Sequence, residues 1–133
     1  MFLNQLNNEQ KEAFISLGVH ASNANNDFAK KEKEMLQEYC KEMGIVFFDS
    51  SNTMTMDKIV EIFKDSDVIV KRIVLLEILG LLLSDGSYDK LENTFIVSFV
   101  EKIGLSQNDI DKEKELLYKY LDVYKEVSTA IYL

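Results

Sequence analysis

Apolar residues recur along this chain at intervals of three and four, and strand-like alternation is hard to find anywhere in it. Phe14, Leu17, Val19 and Ala21 give residues 8 to 22 one apolar side, and Asn7 with Gln10 three positions later has the spacing of a capping box that would open that helix. After an asparagine-rich turn, Met35, Leu36, Tyr39, Cys40 and Met43 mark a second helix over about 30 to 43, with Gly44 where a terminating glycine belongs. Residues 46 to 55 form the one long connection, and Thr55 is positioned to cap a short helix from Met56 to Lys64. Ser66 is read as the start of an almost wholly apolar helix over Asp67 to Ser84. Its longest run, Val68 to Leu83, is broken by Lys71, Arg72 and Glu77 and falls short of the roughly 20 residues a membrane span needs, so it predicts a central helix buried on all sides. A helix over about 90 to 103 ends at Gly104. Ser106 and Asp109 then open a long final helix, about 107 to 131, with Ile110, Leu117, Leu121 and Tyr124 on one side.

Shifted by sixty residues, the second helix falls on the fifth without a gap. Phe28 meets Tyr88, Glu32 meets Glu92, Leu36 meets Ile96, Tyr39 meets Phe99, Cys40 meets Val100 and Gly44 meets Gly104. Matched apolar positions with an identical glutamate and an identical terminal glycine predict two similar helix pairs packed together. The expected fold is therefore all-α, a single-domain bundle of about six to seven helices built from two pseudo-symmetric halves, residues 8 to 45 and 67 to 105, followed by the C-terminal helix. Val100 at the position matching Cys40 makes the thiol a core filler rather than a reactive group.

Composition narrows the classes of partner. With 133 residues, 47% hydrophobic, the chain can bury one proper core but not two. The absence of proline and the five glycines favour helices. A net charge of −8 disfavours nucleic acid and anionic lipid, which demand Lys and Arg clusters, and favours cations or basic protein surfaces. The start of the chain lacks a basic stretch followed by a continuous apolar run, and the lone cysteine forms no internal disulfide, so the expected location is cytoplasmic.

The stretch SDGSYDKLEN, residues 84 to 93, is the most chemically suggestive segment. Asp89 and Glu92 have capping-box spacing, and Gly86 permits the backbone to leave the preceding helix. Asp85 is not absorbed by that scheme, because an anion at a helix C-terminus adds to the negative end of the dipole. A hard divalent cation, calcium or magnesium, would turn that cost into a gain, with Asp85, Asp89 and Glu92 as oxygen ligands. In the first turn the candidates are Asn25, Asp27 and Glu32: Asn25 matches Asp85 and Glu32 matches Glu92, but Ala29 stands where Asp89 does and cannot cap, so a charge is lost and the expected affinity is weaker. The segment is not an EF-hand, since Lys90 stands at the central glycine position and Ile96 at the closing glutamate. Capping alone and a weak cation site both fit the residues.

Three further features need an account. Glu77 is the only charged residue between Ile73 and Leu83, so it must have a partner, such as a lysine or exposed backbone, or a wet edge. His20 matches Gly80 in the repeat, has no Cys or second His for zinc, and lacks a Ser or Cys arrangement for nucleophilic catalysis, so it is read as structural or as a surface residue. Tyr118, Tyr120, Tyr124 and Tyr132 crowd the last helix, where packing beneath it is favoured over a docking surface.

An acidic turn with Asp-Gly, an apolar residue two positions after the glycine, a glutamate seven after the aspartate, and a helix ending in Gly-Ile or Gly-Leu resembles the TerB-like domains of tellurite-resistance proteins. Asp85, Gly86, Tyr88, Glu92 and Gly104-Leu105 carry the pattern, and Asn25, Phe28, Glu32 and Gly44-Ile45 carry a looser copy. The resemblance covers roughly residues 8 to 130. It implies an all-α bundle with two related halves and a non-enzymatic role in bacterial stress or tellurite resistance, with divalent metal held near the turns. Protein partners are expected, and a metal-independent scaffold, a homodimer or a binder of a basic partner, is the alternative.

Overall fold

The computed structural model describes residues 1–24, 30–45, 53–84 and 88–133, and for residues 30 and 31 the backbone alone. These residues form six helices with no strand among them: α1 Asn8–Ser22, α2 Lys30–Met43, α3 Met56–Lys64, α4 Val68–Leu83, α5 Lys90–Lys102 and α6 Gln107–Tyr132. A 3-10 turn, Leu3–Gln5, precedes α1 and buries Leu3.

The starts of α1, α3, α4 and α6 each have a local cause. Asn7 Oδ1 accepts from the Gln10 N–H at 2.8 Å while Gln10 Oε1 accepts from the Asn7 N–H at 2.9 Å, closing the capping box of α1. Thr55 Oγ1 accepts from the Lys58 N–H and starts α3. For α4 the cap is Asp67 rather than Ser66: Asp67 Oδ1 accepts from the Val70 N–H at 3.0 Å, a carboxylate being favoured at the positive end of the helix dipole. The Ser66 hydroxyl instead donates to the Ile62 carbonyl at 2.8 Å and accepts from Gln10 Nε2 at 3.0 Å, tying the α3–α4 corner to the start of α1. Ser106 and Asp109 form the capping box of α6.

Packing is organised around α4, which touches α1, α2, α3 and α6. Val74, Leu75, Ile78, Leu79, Leu81 and Leu82 are fully buried on it. Burial on all sides fails in the first turn, where Val68 and Ile69 are 47% and 61% exposed. Edge-to-face ring pairs join α1 to α2 through Phe14 and Tyr39 and α3 to α5 through Phe63 and Phe99. Gly18 lets α1 approach α2, since a Cβ there would fall 2.5 Å from Leu36 Cδ2.

Helices α2 and α5 end alike. Gly44 and Gly104 have φ of 74° and 90°, where a glycine escapes the Cβ clash that penalises other residues. Around them Ile45 N–H donates to the Cys40 carbonyl and Leu105 N–H to the Val100 carbonyl, each paired with a shorter-range bond from the glycine N–H, so both ends are Schellman motifs. Burial repeats at the same offset: Leu36 and Ile96 are both inaccessible, as Cys40 and Val100 nearly are.

Helix α6 departs from the bundle. It packs on α4 and α5 through its first turns, with Ile110 and Leu117 its only buried residues, and Lys114 Nζ stands 4.4 Å from the centre of the Tyr88 ring. From Tyr118 onward every residue is exposed except half-buried Ser128. Residues 118 to 132 thus form a helical arm about 22 Å long at about 1.5 Å rise per residue.

Candidate functional site

The acidic turns give a partial answer. Asp85, Asn25 and Asp27 lie outside the described residues, so their part in the expected cation site is not placed. Asp89 and Glu92 are placed, and they form the capping box: Asp89 Oδ1 accepts from the Glu92 N–H at 2.8 Å and Glu92 Oε1 from the Asp89 N–H at 3.2 Å. Glu32 and Glu92, the matched glutamates, sit at the third position of α2 and α5 and are both 2% exposed. Among the described residues there is no group of three or more His, Cys, Asp or Glu side chains arranged to hold a metal ion.

Glu77 finds neither a lysine nor a wet edge. At 5% exposure its Oε1 accepts from the Phe2 N–H at 3.0 Å and lies 3.0 Å from the Met1 ammonium, while Glu42 accepts from the Met1 ammonium at 2.7 Å and from the Leu3 N–H at 2.9 Å. The backbone it serves belongs to the segment folded over α4 and α2, which is how a carboxylate survives in the core. Partial burial of the ammonium works to lower its pKa, but the hydrogen bonds and charges of Glu42 and Glu77 outweigh it and hold the group above its ordinary value. Tyr39 OH donates to the Glu77 carbonyl at 3.2 Å, and burial pushes that phenol well above the usual tyrosine range.

His20 is structural, one of the two roles the sequence leaves open. Its Nε2 donates to the Met54 carbonyl at 2.7 Å, and Ser16, one turn earlier, accepts from the Met54 N–H at 2.9 Å. The two side chains clip the approach to α3 onto α1, and the i, i+4 pairing of two polar residues on an otherwise buried helix is the signal that would have found it. Cys40 is buried and burial pushes its thiol up, away from reactive thiolate.

Nothing in the sequence pattern singles out Glu113, although it shares a helical face with Ile110 and Leu117. It lines a groove of about 320 Å³ with Phe2, Ile69, Arg72, Ile73 and Leu76, between the first turns of α4 and α6. Its Oε2 is buried with no hydrogen-bond partner, and burial together with the neighbouring Asp109 charge pushes its pKa up to about 8 against the opposing pull of Arg72.

The tyrosines of α6 do not pack beneath it. Tyr118, Tyr120, Tyr124 and Tyr132 are 51%, 48%, 61% and 85% exposed, because the bundle ends before the helix does. Leu121 and Tyr124, expected on its buried side, are exposed for the same reason. Ten large apolar side chains stand in solvent between Leu116 and Leu133. Five positions spaced four, three, four and three apart, Leu116, Tyr120, Val123, Val127 and Ala130, draw one continuous stripe. The groove beside Glu113 lies on the same line, three residues before Leu116.

No helix among the described residues is long and apolar enough to cross a membrane. Compared with protein-family models, curated proteins and solved structures, the chain matches none.

Proposed function

We propose that this protein is a non-enzymatic helical interaction module whose working surface is the exposed side of α6. The observation that carries the reading is the arm beyond Tyr118, which presents more contiguous apolar side chain than isolated exposed residues on a soluble surface would. An isolated amphipathic arm gains nothing from leaving that surface in water, whereas covering it recovers roughly 25 cal/mol for each Å² of apolar area buried. The resemblance to TerB-like domains suggests a stress-response assembly as the setting.

The test is truncation after Tyr118. The truncated chain should keep its melting temperature to within a few degrees, because the removed residues make no core contact, and should lose association with whatever the full chain retains, itself included. Equal retention by the two chains would exclude α6 as the working surface.

A second reading, weak binding of calcium or magnesium at the acidic turns, is favoured by the matched burial of Glu32 and Glu92 beside them. Binding to the folded state alone would raise the melting temperature by mass action, and Asp85→Asn should remove most of the rise. No shift at millimolar calcium or magnesium eliminates this reading.

A further inference from the structure

Resting on α6 as the working surface, we propose that its occupant is a second copy of this chain, in an antiparallel pair of α6 helices with Tyr120 of each opposite Val123 of the other. Three observations support one occupant and one direction. The first is charge. The molecule carries −8 overall, yet residues 116 to 133 hold two lysines, Lys119 and Lys125, against two acids, Asp122 and Glu126, so side-chain charge on the arm sums to zero. Two copies that repel through their bundles can meet through their arms.

The second is register. The stripe of Leu116, Tyr120, Val123, Val127 and Ala130 follows the spacing of a two-stranded seam, with Lys119 and Glu126 flanking it on its outer side. In an antiparallel pair that flank faces the same flank of the other helix, running the opposite way. With Tyr120 opposite Val123, Lys119 falls opposite Glu126 of the second copy and Glu126 opposite its Lys119. In a parallel pair the flanks cross over, and Lys119 would meet Tyr124 while Glu126 met Ile131, with no charge pair at all. Lys119 now pairs with Glu115 on its own helix at 3.1 Å, and both are about two-thirds exposed, so its ammonium is free to turn toward a second acid.

The third is continuity with the groove. The same register lays Ala130 of one copy against Glu113 of the other, so the apolar end of each arm lies over the groove formed by Phe2, Ile69 and Leu76 on its partner's bundle. One pairing therefore covers the arm and the groove together, twice, as a two-fold contact must.

Charge reversal tests the proposal without threatening the fold, because Lys119 and Glu126 are exposed. Sedimentation of the full chain at tens of micromolar should show a dimer. Lys119→Glu sets acid against acid along both flanks and Glu126→Lys sets lysine against lysine, so each variant alone should associate about tenfold more weakly or worse. Mixing the two variants one to one should restore the dimer by pairing an all-acid flank with an all-lysine one, as should the double swap in a single chain, where every flank again meets its opposite. A full chain that stays monomeric overturns the second copy as occupant. A dimer indifferent to both reversals and to mixing overturns the antiparallel register while leaving α6 as the surface, and a dimer that survives truncation after Tyr118 removes α6 itself.

Discussion

Glu113 shows how one carboxyl can be tolerated in apolar surroundings only by keeping its proton. It faces Arg72 and Asp109, its Oε2 has no hydrogen-bond partner, and its pKa is about 8 against an ordinary 4.5. A group whose pKa is raised on folding contributes stability that is fully present below the unfolded value and is lost as pH climbs through the folded one. Stability linked to Glu113 therefore declines between about pH 4.5 and pH 8. Asp109 works in a lower window and with the opposite sign, since the backbone and side-chain hydrogen bonds from Ser106 hold it below its ordinary value. Glu113→Gln keeps the shape and removes the titration, so its melting temperature should match the parent near pH 5 and exceed it progressively toward pH 9. Parallel melting profiles of the two proteins across that range would rule this out. The Met1 ammonium, also raised, loses its contribution above pH 8 in both proteins and cancels from the comparison.

At the scale of elements, what could be read from sequence follows the range of the interactions. The limits of α1, α2 and α3 are the ones the pattern predicts, because their caps are settled within a few residues: Asn7 with Gln10, Gly44 with Lys41, Thr55 with Lys58. The start of α4 moved from Ser66 to Asp67 for a reason of the same local kind, two competing caps in sequence, with Ser66 drawn off by Gln10 from a distant helix. The partners of Glu77 were illegible because they lie about seventy-five residues away, in Phe2 and Met1 just ahead of a 3-10 turn with no periodicity to announce it. The fate of α6 was illegible for a different reason. A stripe at three and four residue spacing says that a helix has an apolar side, not which body covers it, and the same pattern serves Leu117 against this chain's own core and Val123 against nothing within it. In the acidic turns the capping role of Asp89 and Glu92 was readable and holds, whereas a cation's ligands depend on how separate carbonyls and carboxylates converge, which spacing along the chain does not fix.

For the whole molecule, the arrangement separates charge from stickiness: the bundle carries all of the −8 while the arm carries none of it. In the antiparallel pair the bundles sit at opposite ends of the paired arms, roughly 30 Å apart by the helical rise between their levels. Two such charges in water repel by roughly 9 kcal/mol without salt, about 3 kcal/mol at 10 mM salt and a few tenths at 0.15 M, taking Debye lengths of about 30 and 8 Å. The two Lys119–Glu126 contacts pull the other way but are exposed, typically worth about 0.5 kcal/mol each, and salt can remove no more than that. Repulsion between bundles therefore dominates the salt dependence. Association should strengthen by tenfold or more between about 10 mM and 0.15 M sodium chloride, then change little up to about 0.5 M, where apolar burial carries the pair. Equilibrium sedimentation across that series measures it directly. Association that weakens steadily with added salt would mean that charge pairing, not the apolar seam, holds the copies together.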